Sequence, residues 1–139
     1  MTRHSQCQCG ALHIAAEGEP DSIVMCSCSA CQRRSGSPFG EGAYWHRSKL
    51  AISGEAREYV RDAESGKPFH TFFCPICGTS LYFYSERDVD RVGVAVGGFV
   101  DAAFPPPHRS VFEERKHAWI ALPEDVPGFI RGRDSARSR

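Results

Sequence analysis

Seven of the 139 residues are cysteines, and they fall in three groups: Cys7 with Cys9, then Cys26, Cys28 and Cys31, then Cys74 with Cys77. So many thiols in so short a chain imply either a disulfide framework or a set of metal-thiolate sites. The count is odd. Cys7 and Cys9 are two apart, as are Cys26 and Cys28, and a bridge between such neighbours would be strained and readily reduced. The opening MTRHSQCQCG is polar and lacks the apolar stretch of a secretory signal. Together these features point to metal in a reducing compartment, and a cytoplasmic location is the expectation.

The CPICG run at residues 74–78 is the most specific local signal. Its proline stiffens a turn, and Gly78 can take the positive φ that aims backbone N–H groups at sulfur. Such a knuckle supplies two ligands, so two must come from elsewhere. On an extended strand Cys7 and Cys9 would share a face with Cα atoms ~6.6 Å apart. Rotamers could then bring their sulfurs to the ~3.8 Å that tetrahedral zinc needs, given a Zn–S length of ~2.3 Å. The other grouping pairs the knuckle with two of Cys26, Cys28 and Cys31, and strands three cysteines without a site. Pairing CQC with CPIC is simpler. It makes a full, structural four-thiolate site and leaves a coherent trio.

Three protein ligands and one exchangeable position is the usual arrangement of a catalytic zinc. Arg33 and Arg34 follow the trio and could offset its charge or hold an anionic substrate group. Ser37 could line the same pocket, or simply be a turn residue. The competing view is a second structural metal, its fourth place filled by an acid or by His46, His70, His108 or His117.

The rest of the chain reads as short strands with Gly, Pro and Asp punctuation and no long amphipathic helix, which predicts one mostly β domain. Strands are expected in ALHIAAEGEP and DSIVMC, and one helical turn in SACQRRSGS before Gly36. FGEGAYWHRSKLAISGEAREYV reads as one or two strands broken at Ser53-Gly54, and FHTFFCPICGTSLYFYS as a hairpin. In DRVGVAVGGFVD, Val92, Val94 and Val96 alternate with small residues, so another backbone should approach closely. Aromatics such as Trp45 and Trp119 are expected to pack in cores or edges. RGRDSARSR has the composition of a frayed end. Residues 1–125 are read as the domain and 126–139 as a tail, flexible at its end. Formal net charge is zero and there is no basic stripe, so neither nucleic acid nor a membrane is expected as a partner.

CQCGALHI, CSCSACQRRSGSPF and FFCPICGTSLYF, in that order, resemble the glutathione-dependent formaldehyde-activating enzyme family, the GFA domain proteins. VGGFVD and the HAW ending at Trp119 resemble its closing segments, so the likeness covers roughly residues 5–120. It implies an Mss4-like, sandwich-like fold of β-sheets around a structural zinc. It also implies two zinc ions per chain: one on Cys7, Cys9, Cys74 and Cys77, the other, catalytic, on Cys26, Cys28 and Cys31. The implied activity is that of a carbon–sulfur lyase, joining glutathione as cosubstrate to formaldehyde as S-(hydroxymethyl)glutathione, a formaldehyde-detoxifying step. The partners are then a small-molecule thiol and an electrophile. The alternative is a zinc-stabilised binding module or a carrier of the thiol adduct. One departure stands out: relatives often have histidine between the first two cysteines of the trio, where this chain has Ser27.

Overall fold

The computed structural model describes all of residues 1–139. Ten strands and one short helix follow in order: β1 (Thr2–Gln6), β2 (His13–Glu17), β3 (Ser22–Cys26), α1 (Ser29–Ser35), β4 (Gly40–His46), β5 (Leu50–Ser53), β6 (Arg57–Asp62), β7 (Pro68–Phe73), β8 (Ser80–Ser85), β9 (Arg91–Ala95) and β10 (Arg109–Val111). The chain is mostly β, with its strands in two sheets. It divides into two compact units, one of Met1–Asp21 with Ala43–Ala103, the other of Ser22–Gly42 with Phe104–Arg139. No helix is long and apolar enough to cross a membrane.

In the first unit β1 pairs antiparallel with β2, and β2 with β5. Separately, β6, β7, β8 and β9 form an antiparallel meander. The alternation expected from HIAAE is present: Ile14 and Ala16 are buried while His13 and Ala15 are half-exposed. Leu12, Ala43, Trp45, Leu81 and Val94 complete a core with no exposed surface. The Trp45 indole N–H donates to the Gly18 carbonyl at 3.1 Å, so the one polar atom of this buried ring is satisfied. Gly93 shows why that strand carries a small residue. A Cβ there would lie 2.4 Å from the Phe83 ring and 2.8 Å from Tyr44.

Two expectations change, and one strand is new. The segment 40–62 holds three strands, because Arg47–Lys49 makes a 3-10 turn that His46 caps through Ser48 N–H. The polar TRHSQ at the start is a strand, pairing with β2 from Thr2 to Gln6. Trp119 is 73% exposed, edge-on to His117 and outside any core.

In the second unit β3 and β10 run parallel, with Met25 opposite Ser110 and Cys26 opposite Val111. Ile23, Met25, Val111 and Val126 are its buried apolar residues. Helix α1 begins at Cys28, whose sulfur accepts the Cys31 N–H, and ends where Gly36 turns left-handed at φ 66°. Within 126–139, Ile130 N–H donates to Ala136 O and Ser138 N–H to Gly128 O, both at 2.9 Å. Arg139 and Ser138 meet the carboxylate of Glu113, whose side chain is 4% exposed.

Candidate metal centres

The sulfurs of Cys7, Cys9, Cys74 and Cys77 lie within 4.8 Å of one another in the first unit. Two hairpin loops put them there, residues 7–12 between β1 and β2 and residues 74–79 between β7 and β8. The loops are built alike. Cys7 N–H bonds Leu12 O, and Cys74 N–H bonds Thr79 O, each at 3.0 Å. Gly10 N–H returns to Cys7 O and Gly78 N–H to Cys74 O, and both glycines have φ near 80°. Only glycine adopts that backbone without a Cβ penalty. Cys7 and Cys9 therefore sit in a turn, not on the extended strand expected. The turn brings their sulfurs to 3.6 Å, and Cys9 to 3.7 Å from Cys74. Those spacings fit the ~3.8 Å edge of a tetrahedron with Zn–S bonds of ~2.3 Å.

The hydrogen bonds around these sulfurs favour thiolates. Leu12 N–H donates to Cys7 Sγ at 3.3 Å, and Ile76 N–H to Cys74 Sγ at 3.4 Å. Thr79 Oγ1 lies 3.3 Å from Cys77 Sγ and accepts Gln8 N–H at 3.1 Å, linking the two loops. The Thr79 hydroxyl, with its own N–H, pulls the Cys77 thiol down to about 5. Cys7 is also lowered: burial works against it, but the Leu12 N–H and the Cys9 contact prevail. At Cys9 the Ala11 N–H is outweighed by desolvation and three neighbouring thiols, and the thiol rises to about 11. Four sulfurs this close cannot all ionise on their own. A divalent cation removes the conflict, so the donor set fits zinc.

The second group is Cys26, Cys28 and Cys31, in the second unit, again with sulfurs within 4.8 Å. It is a strand-to-helix junction: Cys26 ends β3, Cys28 caps α1 and Cys31 lies in its first turn. All three are half-buried. Hydrogen bonds from Cys28 and Cys31, then burial, push the Cys26 thiol far up. Cys31 is raised as well: the Cys26 contact lowers it, but Cys28 and burial outweigh that, and Arg34 gives some relief. The same conflict appears here with one donor fewer. No histidine or carboxylate joins this group. Three of the four candidate histidines are engaged elsewhere, and the fourth, His117, lies outside the group. His108 Nδ1 accepts Ile23 N–H, His46 caps its 3-10 turn, and His70 lies between Glu58 and Glu86.

The two arginines part company. Arg33 is exposed, whereas Arg34 is half-buried and lies against Gly40. A Cβ on Gly40 would sit 2.5 Å from Arg34 Nη2 and 3.2 Å from Cys31 Cβ, so the missing side chain is what lets the guanidinium in. Ser37 lies in the turn after α1, its N–H on Ser35 Oγ at 3.2 Å. The Ser35 hydroxyl is in reach of Cys31 O at 2.8 Å and Phe39 O at 3.1 Å, tying the end of the helix to β4.

Ser27 is fully buried, and its hydroxyl makes no hydrogen bond. The Ser27 hydroxyl therefore bonds to none of the three sulfurs. Its backbone is what the site uses: Ser27 N–H donates to Val111 O at 3.1 Å, and Ser27 O accepts from Gln32 Nε2 at 2.8 Å. Sequence reasoning passed over Gln32, Val111 and Thr79. Thr79 was within reach, since a hydroxyl directly after a C-x-x-C-G knuckle is placed to meet its sulfur. Nothing local in the sequence points to Val111, eighty-four positions from Ser27 by their numbering.

The chain is 34% identical over 77 residues to a Schizosaccharomyces pombe protein described as an uncharacterized lyase. The match takes in 55% of the chain and spans about half, 53%, of that relative. A crystal structure of a Rhodobacter sphaeroides protein superposes with a TM-score of 0.57 at 23% identity, covering 73% of this chain and 91% of the other, which supports the fold alone. The profile of the glutathione-dependent formaldehyde-activating enzyme family matches residues 2–121, and with nearly the whole chain inside that match, the protein belongs to this family.

Proposed function

We propose that the protein is a zinc-dependent carbon–sulfur lyase acting on a glutathione adduct, with S-(hydroxymethyl)glutathione formation from glutathione and formaldehyde as its reaction. One observation carries this: a cluster of three cysteine sulfurs with no fourth protein donor, beside a second cluster in the same chain that has all four. Cys7, Cys9, Cys74 and Cys77 hold the structural ion, and Cys26, Cys28 and Cys31 the catalytic one. Held by the trio, zinc would supply Lewis acidity, which would make a nearby thiol more acidic.

The chain's own residues supply position and charge. The Cys31 N–H donates to Cys28 Sγ at 3.3 Å and fixes the place of that sulfur. Arg34, beside Cys31, offsets the excess negative charge and receives a glutathione carboxylate. Arg33 and Ser37 contribute at the rim. Ser27 offers no proton relay, because its buried hydroxyl hydrogen-bonds to nothing. The reaction runs in the cytoplasm, with a small thiol and an electrophile as the partners.

Thiols add to formaldehyde unaided, so the decisive measurement is rate. Initial rates of adduct formation should exceed the uncatalysed rate across pH 6–8, and the excess should vanish in Cys28→Ser. Equal rates with and without protein would leave a carrier or binding module in place of an enzyme.

A further inference from the structure

The trio spans only residues 26–31, and no second cysteine loop braces it. Its geometry is held by hydrogen bonds, and two of these come from one side chain. Gln32 Nε2 donates to Ser27 O at 2.8 Å and to Arg115 O at 3.3 Å. A primary amide has two N–H groups, so both carbonyls are served at once. Gln32 is also built into α1, its N–H on Cys28 O at 3.0 Å and its C=O receiving the Gly36 N–H at 2.9 Å. The side chain therefore ties the helix that carries Cys31 to the peptide between Cys26 and Cys28, and ties both to the segment after β10.

That segment is itself fixed. Phe112 adopts φ 57°, ψ 42°, a left-handed backbone rare for a bulky residue. It opens a 3-10 turn over Glu113–Arg115 that delivers the Arg115 carbonyl. Ser27 follows the last residue of β3 and is fully buried, so its carbonyl depends on Gln32. An unserved buried carbonyl is costly, and the loop would shift to find water.

We propose that Gln32 is the positioning residue of the three-cysteine loop: its amide fixes the relative placement of Cys26, Cys28 and Cys31, acting on the sulfurs through the backbone without touching a substrate. The catalytic consequence rests on the function proposed above, but the positioning itself does not.

The test compares wild type with Gln32→Leu, which keeps the volume and loses both donors, and Gln32→Lys, which restores a donor of similar reach. Alkylation rates of each cysteine, mapped by mass spectrometry on the purified protein, are the readout. In Gln32→Leu, Cys26, Cys28 and Cys31 should react about tenfold faster, while Cys7, Cys9, Cys74 and Cys77 keep their rates. Gln32→Lys should return the trio toward wild type. Metal release to a chromophoric chelator should show the same pattern, with loss from the trio about 10–100-fold faster. Unchanged trio alkylation, equal acceleration at all seven cysteines, or a lysine variant no better than leucine would each overturn the proposal. If Gln32→Leu does not fold, Gln32→Asn replaces it. Its shortened amide cannot span both carbonyls, and a wild-type trio rate there also overturns the idea. A wild type that binds a single zinc would remove the reading of the trio as a catalytic metal site, and the alkylation comparison would still decide the role of Gln32.

Discussion

The two cysteine groups have similar sulfur spacing and nearly opposite construction. The four-cysteine group joins loops from distant parts of the sequence, with Cys9 and Cys74 separated by 65 positions. A cation there would close a long loop and help to hold the first unit together. The three-cysteine group lies in one stretch of six residues, and its braces are hydrogen bonds from Gln32 Nε2 to Ser27 O and Arg115 O and from Ser27 N–H to Val111 O. A cation there would be carried by a scaffold that hydrogen bonds already hold. The expected difference is between a ligand set that makes the fold and one that the fold makes.

The strongest way to break this contrast is to remove one ligand from each group. Cys74→Ser should abolish metal at the four-cysteine group and cost several kcal/mol, enough to unfold a small domain. Circular dichroism and zinc stoichiometry would show it. Cys28→Ser should instead lower the zinc count from two to one with the fold retained, and eliminate activity. A cooperative unfolding in Cys28→Ser as severe as in Cys74→Ser would erase the distinction.

A finer test separates the arginines. Arg34→Ala should raise the KM for glutathione about tenfold, the scale of one lost charge-assisted contact, while Arg33→Ala changes it little. Gly40→Ala should follow Arg34→Ala, because the added methyl occupies the guanidinium's place. Equal effects of the two arginine changes would argue against the asymmetry seen here.

The smallest effect lies away from both groups. His70 donates to Glu86 at 2.7 Å and Glu58 at 3.0 Å and stacks on Tyr84 at 4.5 Å, with Arg47 lying against the same tyrosine. Glu86 first, then Glu58, raise its pKa above the ordinary 6.5. The charged imidazolium therefore stabilises the fold fully below pH 6.5, and that contribution fades as pH rises through the raised value. Melting temperature should fall across this window in wild type and stay flatter in His70→Gln, with no change in zinc content. A steeper fall in the variant would contradict the sign.

Much of this was legible in advance because cysteine spacing is a local signal. The CPICG turn, the C-S-C approach to a helix and the Gly36 stop each follow from a few adjacent residues. Strands with alternating apolar residues, such as HIAAE and SIVMC, were readable for the same reason. The strand TRHSQ was not, since its membership comes from pairing with β2 and not from its own pattern. The break at Arg47–Lys49 escaped notice because RSK carries no glycine or proline. Trp119 was expected to be packed, and an aromatic residue does not say by itself whether a neighbour will cover it.

The sequence alone determined which residues are thiols, how they are spaced and which turns can aim them, because those follow from residue type and local φ/ψ. It also carried the resemblance that led to the family. Only the tertiary structure decided that Cys7 and Cys9 sit in a turn, that Arg34 and not Arg33 lies against the trio, and that Ser27 is buried with its hydroxyl unbonded. The brace on Gln32 belongs to the same class. Each depends on a backbone from another part of the chain arriving at hydrogen-bonding or van der Waals distance, and no local pattern encodes where that backbone will be.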